Sequence, residues 1–467
     1  MESEKFPGSE HNEPAEQGPS KSGNWEQLDD KWYERFQETC FDDYEYLHGD
    51  SEKREHEKER FLSVGEGNPT LDYPKLEDFD FEGREQKLVE LKGDVLEEEE
   101  NDIVRQLYRW RVNEELAKLR MLKAAQEGDD NRFMRYSDFI YGEPSPEIFT
   151  YTLTQVRDKI ESYKQSDNEQ KRDAARKLEL LISWEQAGAS DTLAFSADDL
   201  PDSPKETETI TSAEEVREYF EEALRSYGLH NWDVVVDESG SRSGLSVSQE
   251  TRTVNIPSEQ KLEQRSIPLT KTSIEALAAH EIGTHARRRD YGEQSRIRLL
   301  GLGFDRYVKG EEGVATYEQQ KIEGADDFAG LTGHLAISLA KGMDGTPRDF
   351  RQTFEVLKQY FMLTSSGEGE ALDAKASELA WKRTVRTFRG STCATPGACF
   401  TKDIVYREGN IGVWDLVKQG SDEMKRVMIG KYDPTNLRHV WVLEQLNITE
   451  EDLERIKKQF ETEEGGE

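Results

Sequence analysis

Cysteine is scarce in this chain. Cys40, Cys393 and Cys399 are the three thiols among 467 residues. An odd, small number spread this way excludes a disulfide framework and fits free thiols in a reducing compartment, so the cytoplasm is the expected location. Long apolar runs are also missing; none approaches the roughly 20 residues that a membrane helix needs. The opening MESEKFPGSEHNEPAEQGPS has neither a basic n-region nor an apolar h-region, and so does not read as a signal peptide. Positive charge is outnumbered, with 62 Lys and Arg against 97 Asp and Glu, a formal net charge of −35. A surface of that sign repels phosphate backbones, so neither nucleic acid nor a membrane is an expected partner. Apolar residues make up 34%, no more than the charged residues, so part of the chain is expected to be unfolded. The oligomeric state is not legible in the sequence.

What is there falls into three stretches. Residues 1–60 are rich in Glu, Asp, Ser and Lys and read as a solvated acidic tail, interrupted at roughly helical spacing by Trp25, Trp32, Tyr33 and Phe36, a candidate short docking helix. Residues 61–205 read as an N-terminal helical region. Its clearest element spans 102–127, where Ile103, Leu107, Trp110, Leu116, Leu119 and Leu122 recur at three- and four-residue steps. Gly142 and Pro144 stop the next helix, and two more are expected over 147–186. Residues 206–460 read as the chemical domain. A helix begins near Ser212, and NWDVVVD (231–237) and LSVSQETRTVNIP (245–257) predict a small antiparallel sheet. The remainder is largely helical, which makes the fold class α+β, mostly helical.

The chemistry is concentrated in TSIEALAAHEIGTHARRR, where Thr272 and Glu275 are positioned for a capping box and Ile274, Leu277 and Ala278 supply a buried face. This helix carries His280, Glu281 and His285. In the familiar HExxH zinc helix the histidines sit four residues apart on one face. Five residues on a regular helix turn them about 140° apart, too far to share an ion. One π-bulge absorbs the extra residue, and Gly283 is where the backbone distorts most cheaply. A third ligand is needed, and Glu312 in GEEGVATYEQ (310–319) is the best candidate, with Glu311 the runner-up. Two imidazoles and a carboxylate suit Zn2+. Glu281, next to a ligand, is placed to act as the general base. Tyr317, Tyr406 and His334 are candidates to stabilise an oxyanion.

The segment HEIGTHARRRDYGEQSRIRLLGLGFDRYVKGEEGVATYEQ (280–319) resembles the core of the tyrosine carboxypeptidase family, which includes the microtubule-associated tyrosine carboxypeptidases. Bacterial members are described by a Gln-Glu-Gly-Leu-Ala motif, and here that segment reads Glu311-Glu312-Gly313-Val314-Ala315. RFMRYSDFIYGEPS (132–145), VRTFRG (385–390), FTKDIVYREG (400–409) and IGKYDPTNL (429–437) are similar as well. The resemblance implies a zincin-like metallopeptidase domain, His280, His285 and Glu312 as zinc ligands, Glu281 as catalytic acid and base, and release of a C-terminal aromatic residue, Tyr or Phe, from a peptide or protein. It does not imply a particular substrate. The alternative is a non-catalytic or non-peptidase zinc protein of the same fold, acting through partner binding or small-amide hydrolysis.

Within 382–407, Lys382, Arg383, Arg386, Arg389, Lys402 and Arg407 face a single acid, Asp403. A carboxypeptidase must hold a free carboxylate, which Arg grips with a bidentate fork. Arg389 and Lys402, with Tyr406 nearby, are the candidate substrate-binding residues, and Arg296 and Arg298 are the reserve pair.

Overall fold

The computed structural model describes residues 27–65, 67–184, 196–204, 209–210, 212–237, 244–249, 251–264 and 268–462. Trp25 of the candidate docking helix lies outside the described residues.

Capping chemistry places the helix starts. Asn101 caps the helix Asp102–Glu127, which ends on Gly128 in the left-handed region; Asp129 caps Asp130–Tyr141, which stops at Gly142 (φ +92°). Ser145 caps Pro146–Lys164 with proline in the first turn, and Asn168 caps Glu169–Leu181. These four helices lie where the apolar periodicity and turn residues put them.

The acidic tail differs from its expectation. Residues 30–64 carry the helices Asp30–Gln37, Asp43–Tyr46 and Ser51–Val64. Trp32, Tyr33 and Phe36 are buried, Trp32 and Phe36 in one core with Leu107, Leu300 and Tyr432, while Leu47 and Phe61 join another with Phe350 and Trp381. A few large aromatics burying their area outweigh a solvated composition.

The expected division near 205 is not a packing boundary. Phe149, Val156 and Leu178 share a core with Leu335, Val356 and Leu372, so helices from both stretches close over common apolar clusters.

Five short strands follow: β1 (Thr209–Ile210), β2 (Asp233–Asp237), β3 (Ser246–Ser248), β4 (Thr253–Pro257) and β5 (Leu269–Thr270). The antiparallel component is present in the pairs β1–β5 and β3–β4. The pair β2–β4 is parallel, which makes the three-stranded sheet, ordered β2-β4-β3, a mixed one. Val254 and Ile256 point from it into a core with Val216, Phe220, Ile274 and Ile282, so the sheet supports the His-bearing helix from below. No helix among the described residues is long and apolar enough to cross a membrane.

Candidate metal and catalytic site

The helix Lys271–His280 is capped two residues before the expected cap. Thr270 and Ser273, rather than Thr272 and Glu275, form the capping box, because β5 runs directly into the helix at Thr270. At Glu281 the helix widens into a π-turn, Glu281–Ala286, and resumes as Arg287–Gln294. The Thr284 hydroxyl donates to the Ala279 carbonyl at 3.1 Å, five residues back along the widened turn. Gly283 lies at its centre against Tyr227; a Cβ there would sit 2.9 Å from the phenol oxygen. The wide turn brings the rings of His280 and His285 to 5.0 Å between centroids.

Glu312 comes from the facing helix Val308–Glu323. Its Oε2 lies 4.0 Å from Nε2 of both His280 and His285, and one ligand atom from each of the three residues falls within 4.8 Å of the others. Tetrahedral zinc with bonds of about 2.1 Å sets its ligands roughly 3.4 Å apart, so the set fits after a small contraction. The donors are two imidazole nitrogens and a carboxylate oxygen, a set that suits zinc.

Glu311 faces elsewhere. It accepts a hydrogen bond from His285 Nδ1 at 2.8 Å and one from Arg288 at 2.6 Å, and Lys431 Nζ lies 3.6 Å away. Its oxygens are thus occupied behind the site, and its part is to orient His285, the usual task of a carboxylate behind a ligating imidazole. Sequence reasoning ranked Glu311 as a spare ligand and missed this role, along with Arg288 and Lys431. The adjacent pair Glu311-Glu312, whose side chains leave a helix about 100° apart, was the available signal.

The electrostatics separate the four groups. Burial and neighbouring His285 push His280 down to about 3, so its ring is neutral and its lone pair available. Burial opposes charge on His285 too, but the hydrogen bond and charge of Glu311, with Glu312 and Glu281, raise it to about 8. Glu311 is held below the ordinary carboxylate range: burial works against it, and Arg288, Lys431 and His285 overcome that. Burial pushes Glu281 up to about 7, Glu312 adding to the rise while His285 and the Val247 amide oppose it. A carboxylate poised there takes and returns a proton near neutrality. The Val247 contact puts edge strand β3 beside Glu281.

The second wall comes from the helix Ile404–Lys418. Gly313 and Gly409 let it approach closely: a Cβ on Gly313 would run into the Gly409 carbonyl, and one on Gly409 into the Lys309 carbonyl. That approach carries Tyr406 and Lys402 toward Glu312. The Glu312 charge is the largest influence on the Tyr406 phenol, holding it well above its ordinary value and so protonated, while the Lys402 charge favours ionised Glu312. Arg389 follows the helix Gly369–Phe388 and is buried, its guanidinium 4.0 Å from the ring centroid of Tyr44, which Lys402 Nζ also covers at 4.5 Å. Arg383 and Arg386 both bind Asp403.

Other sequence candidates are committed elsewhere. Tyr317 packs edge-on against Trp414. His334 is buried between Glu408 and Ser338, each at 3.3 Å. Arg298 pairs with Asp30 and Glu34, and Arg296 lies 3.8 Å from Asp452. Arg407 reaches Asp327, Gln155 and Thr152. Cys393 and Cys399 are buried free thiols.

No curated protein matches the chain. The family model described as microtubule-associated tyrosine carboxypeptidase matches residues 346–454. The matched span contains Arg389, Lys402 and Tyr406 and lies beyond His280, Glu281, His285 and Glu312. Over that span the chain is similar to the tyrosine carboxypeptidases, the family whose resemblance the sequence motifs carry.

Proposed function

We propose that this protein is a zinc-dependent carboxypeptidase that removes a C-terminal aromatic residue, Tyr or Phe, from a peptide or protein. The observation that carries the reading is the convergence of His280, His285 and Glu312, with ligand atoms within 4.8 Å of one another, beside a carboxylate whose pKa is raised to about 7. The aromatic preference rests on the description of the matching family.

Three residues would hold the ion: His280 and His285 through their rings and Glu312 through one oxygen. Zinc bound there supplies Lewis acidity, making a water more acidic and a carbonyl more electrophilic. Glu281 takes the proton of the attacking water and returns it to the departing amine. Glu311 fixes the His285 ring through Nδ1. Tyr406, kept protonated, donates to the oxygen on which negative charge develops. Lys402 and Arg389 hold the terminal carboxylate of the substrate and so select chain ends over internal peptide bonds.

The test is metal content with a mass-spectrometric assay on peptides ending in Tyr or Phe. About one zinc per chain and loss of one C-terminal residue are expected. Metal-free protein that still hydrolyses, or zinc protein that cleaves internally or not at all, overturns the reading.

A further inference from the structure

Two cations of the basic cluster, Arg389 and Lys402, are in ion-pair contact with no carboxylate among the described residues. Asp403 is shared by Arg383 at 2.7 Å and Arg386 at 2.7 Å, which together make three hydrogen bonds to its oxygens. Arg389 is buried, and its Nε has no hydrogen-bond partner; its Nη1 reaches His48 Nε2 at 3.5 Å. Lys402 makes no hydrogen bond or ion pair among the described residues. Both lie over the ring of Tyr44, Arg389 at 4.0 Å and Lys402 at 4.5 Å from its centroid, with Arg386 farther off at 5.6 Å.

Tyr44 comes from DDYEYLH (42–48), inside the stretch whose composition reads as a tail. Its position is fixed on both sides. Asp42 caps the helical turn Asp43–Tyr46 by accepting from the Tyr44 amide. Buried Asp43 accepts from the Tyr141 phenol at 2.7 Å. Leu47 is fully buried in the core that also holds Phe388, the last residue of the helix before Arg389. The ring between these anchors has little freedom to leave.

An aromatic face attracts a cation through its quadrupole without neutralising it and without using up its N–H donors. A carboxylate in the same place would do both. We propose that Tyr44 is a positioning residue for the substrate's terminal carboxylate: its ring holds Arg389 and Lys402 in place, still charged and with donors free for that anion. This rests on the carboxypeptidase reading of the same site. It makes the N-terminal segment part of the specificity machinery, although it contributes no group to the reaction itself.

The test uses the full chain carrying Glu281→Gln, so that peptide binds without turnover. Calorimetry gives the Kd for a peptide ending in free Tyr and for its C-terminal amide. The free acid should bind more tightly. Tyr44→Leu should remove most of that preference, about tenfold, with the amide affected little, and Tyr44→Phe should keep it. Zinc content and the thermal midpoint of each variant check the fold. A Tyr44→Leu protein that retains the acid-over-amide ratio overturns the proposal and leaves the carboxypeptidase reading standing. If the unsubstituted chain hydrolyses free-acid peptides yet the Glu281→Gln parent shows no ratio, the proposal is overturned as well, since the carboxylate is then held elsewhere. A second readout needs no peptide: phenylglyoxal labelling of Arg389, followed by peptide mapping, should be slow in the parent and several-fold faster in Tyr44→Leu. Equal labelling rates overturn the positioning role even if the protein proves to have no peptidase activity.

Discussion

Glu311→Gln separates a residue that orients a ligand from one that is a ligand. The carboxylate receives His285 Nδ1 at 2.8 Å and Arg288 at 2.6 Å, with Lys431 at 3.6 Å. An amide keeps the shape and one acceptor but removes the charge that makes His285 a stronger base. Losing such a partner weakens metal binding about 10–100-fold. Proton competition shapes how this loss is seen. With its pKa raised to about 8, metal-free His285 is protonated at neutral pH, and zinc must displace that proton. The parent's apparent affinity should therefore climb about tenfold per pH unit up to pH 8 and then level off. The variant loses the interaction that raised the pKa, so it levels off nearer the ordinary histidine value of about 6.5. The gap between the two proteins should be widest at pH 9 and narrow toward pH 6.5. Chelator competition at several pH values reads both effects. Leaving Arg288 and Lys431 buried without the charge also costs stability, by about 3–5 kcal/mol at the upper end, so folding is checked by circular dichroism. Equal zinc affinity of parent and variant at pH 9 would refute the assignment of Glu311 as the orienting partner.

Other outcomes follow from the same geometry. His280→Ala or His285→Ala should strip the zinc, because two remaining ligands bind weakly; full occupancy of the double variant, read by atomic absorption, would remove these residues from the site. Glu281→Gln should keep zinc and fold while losing about 10²–10⁴ in turnover, and near-parent hydrolysis would point to another base. Arg389→Ala and Lys402→Ala should sharply lower activity on free-acid peptides and narrow the preference over amidated ones, with zinc retained; parent-like kinetics in both would mean that the carboxylate is held elsewhere. Gly283→Ala should push against Tyr227 and cost about 1–3 kcal/mol, seen as a lower midpoint and weaker zinc binding, and an unchanged midpoint would mean the turn has room that the 2.9 Å approach denies.

The strongly periodic parts of the fold were legible in the sequence. The repeat from Ile103 to Leu122 marked a helix that spans Asp102–Glu127, and five-residue spacing with Gly283 marked the π distortion found at Glu281–Ala286. Both signals are local, and local geometry dictates them. What escaped depends on contacts distant along the chain. The N-terminal stretch looks solvated because charged residues outnumber Trp32, Tyr33 and Phe36, and only the surfaces of Leu107, Leu300 and Glu293 reveal that those three have somewhere to go. Parallel pairing of β2 with β4 has no signature in alternation, which is the same for either direction. The choice between Glu311 and Glu312 turned on which face of their helix meets His285, a matter of packing between two helices.

The π-turn has a bearing on how this sequence can change over time. Removing one residue between His280 and His285 would restore the four-residue interval and a regular helix, so the commoner arrangement is a single deletion away. Yet everything after the turn would then rotate by about 100°. Arg288 would swing away from Glu311 and from the Tyr432 carbonyl, which it reaches at 2.8 Å, and Asp290 would leave the Trp232 indole. The extra residue is thus held in place from outside the turn, by partners on three other segments that all read the register it creates. A lineage that has built those contacts is shut off from the shorter spacing unless they are rebuilt together.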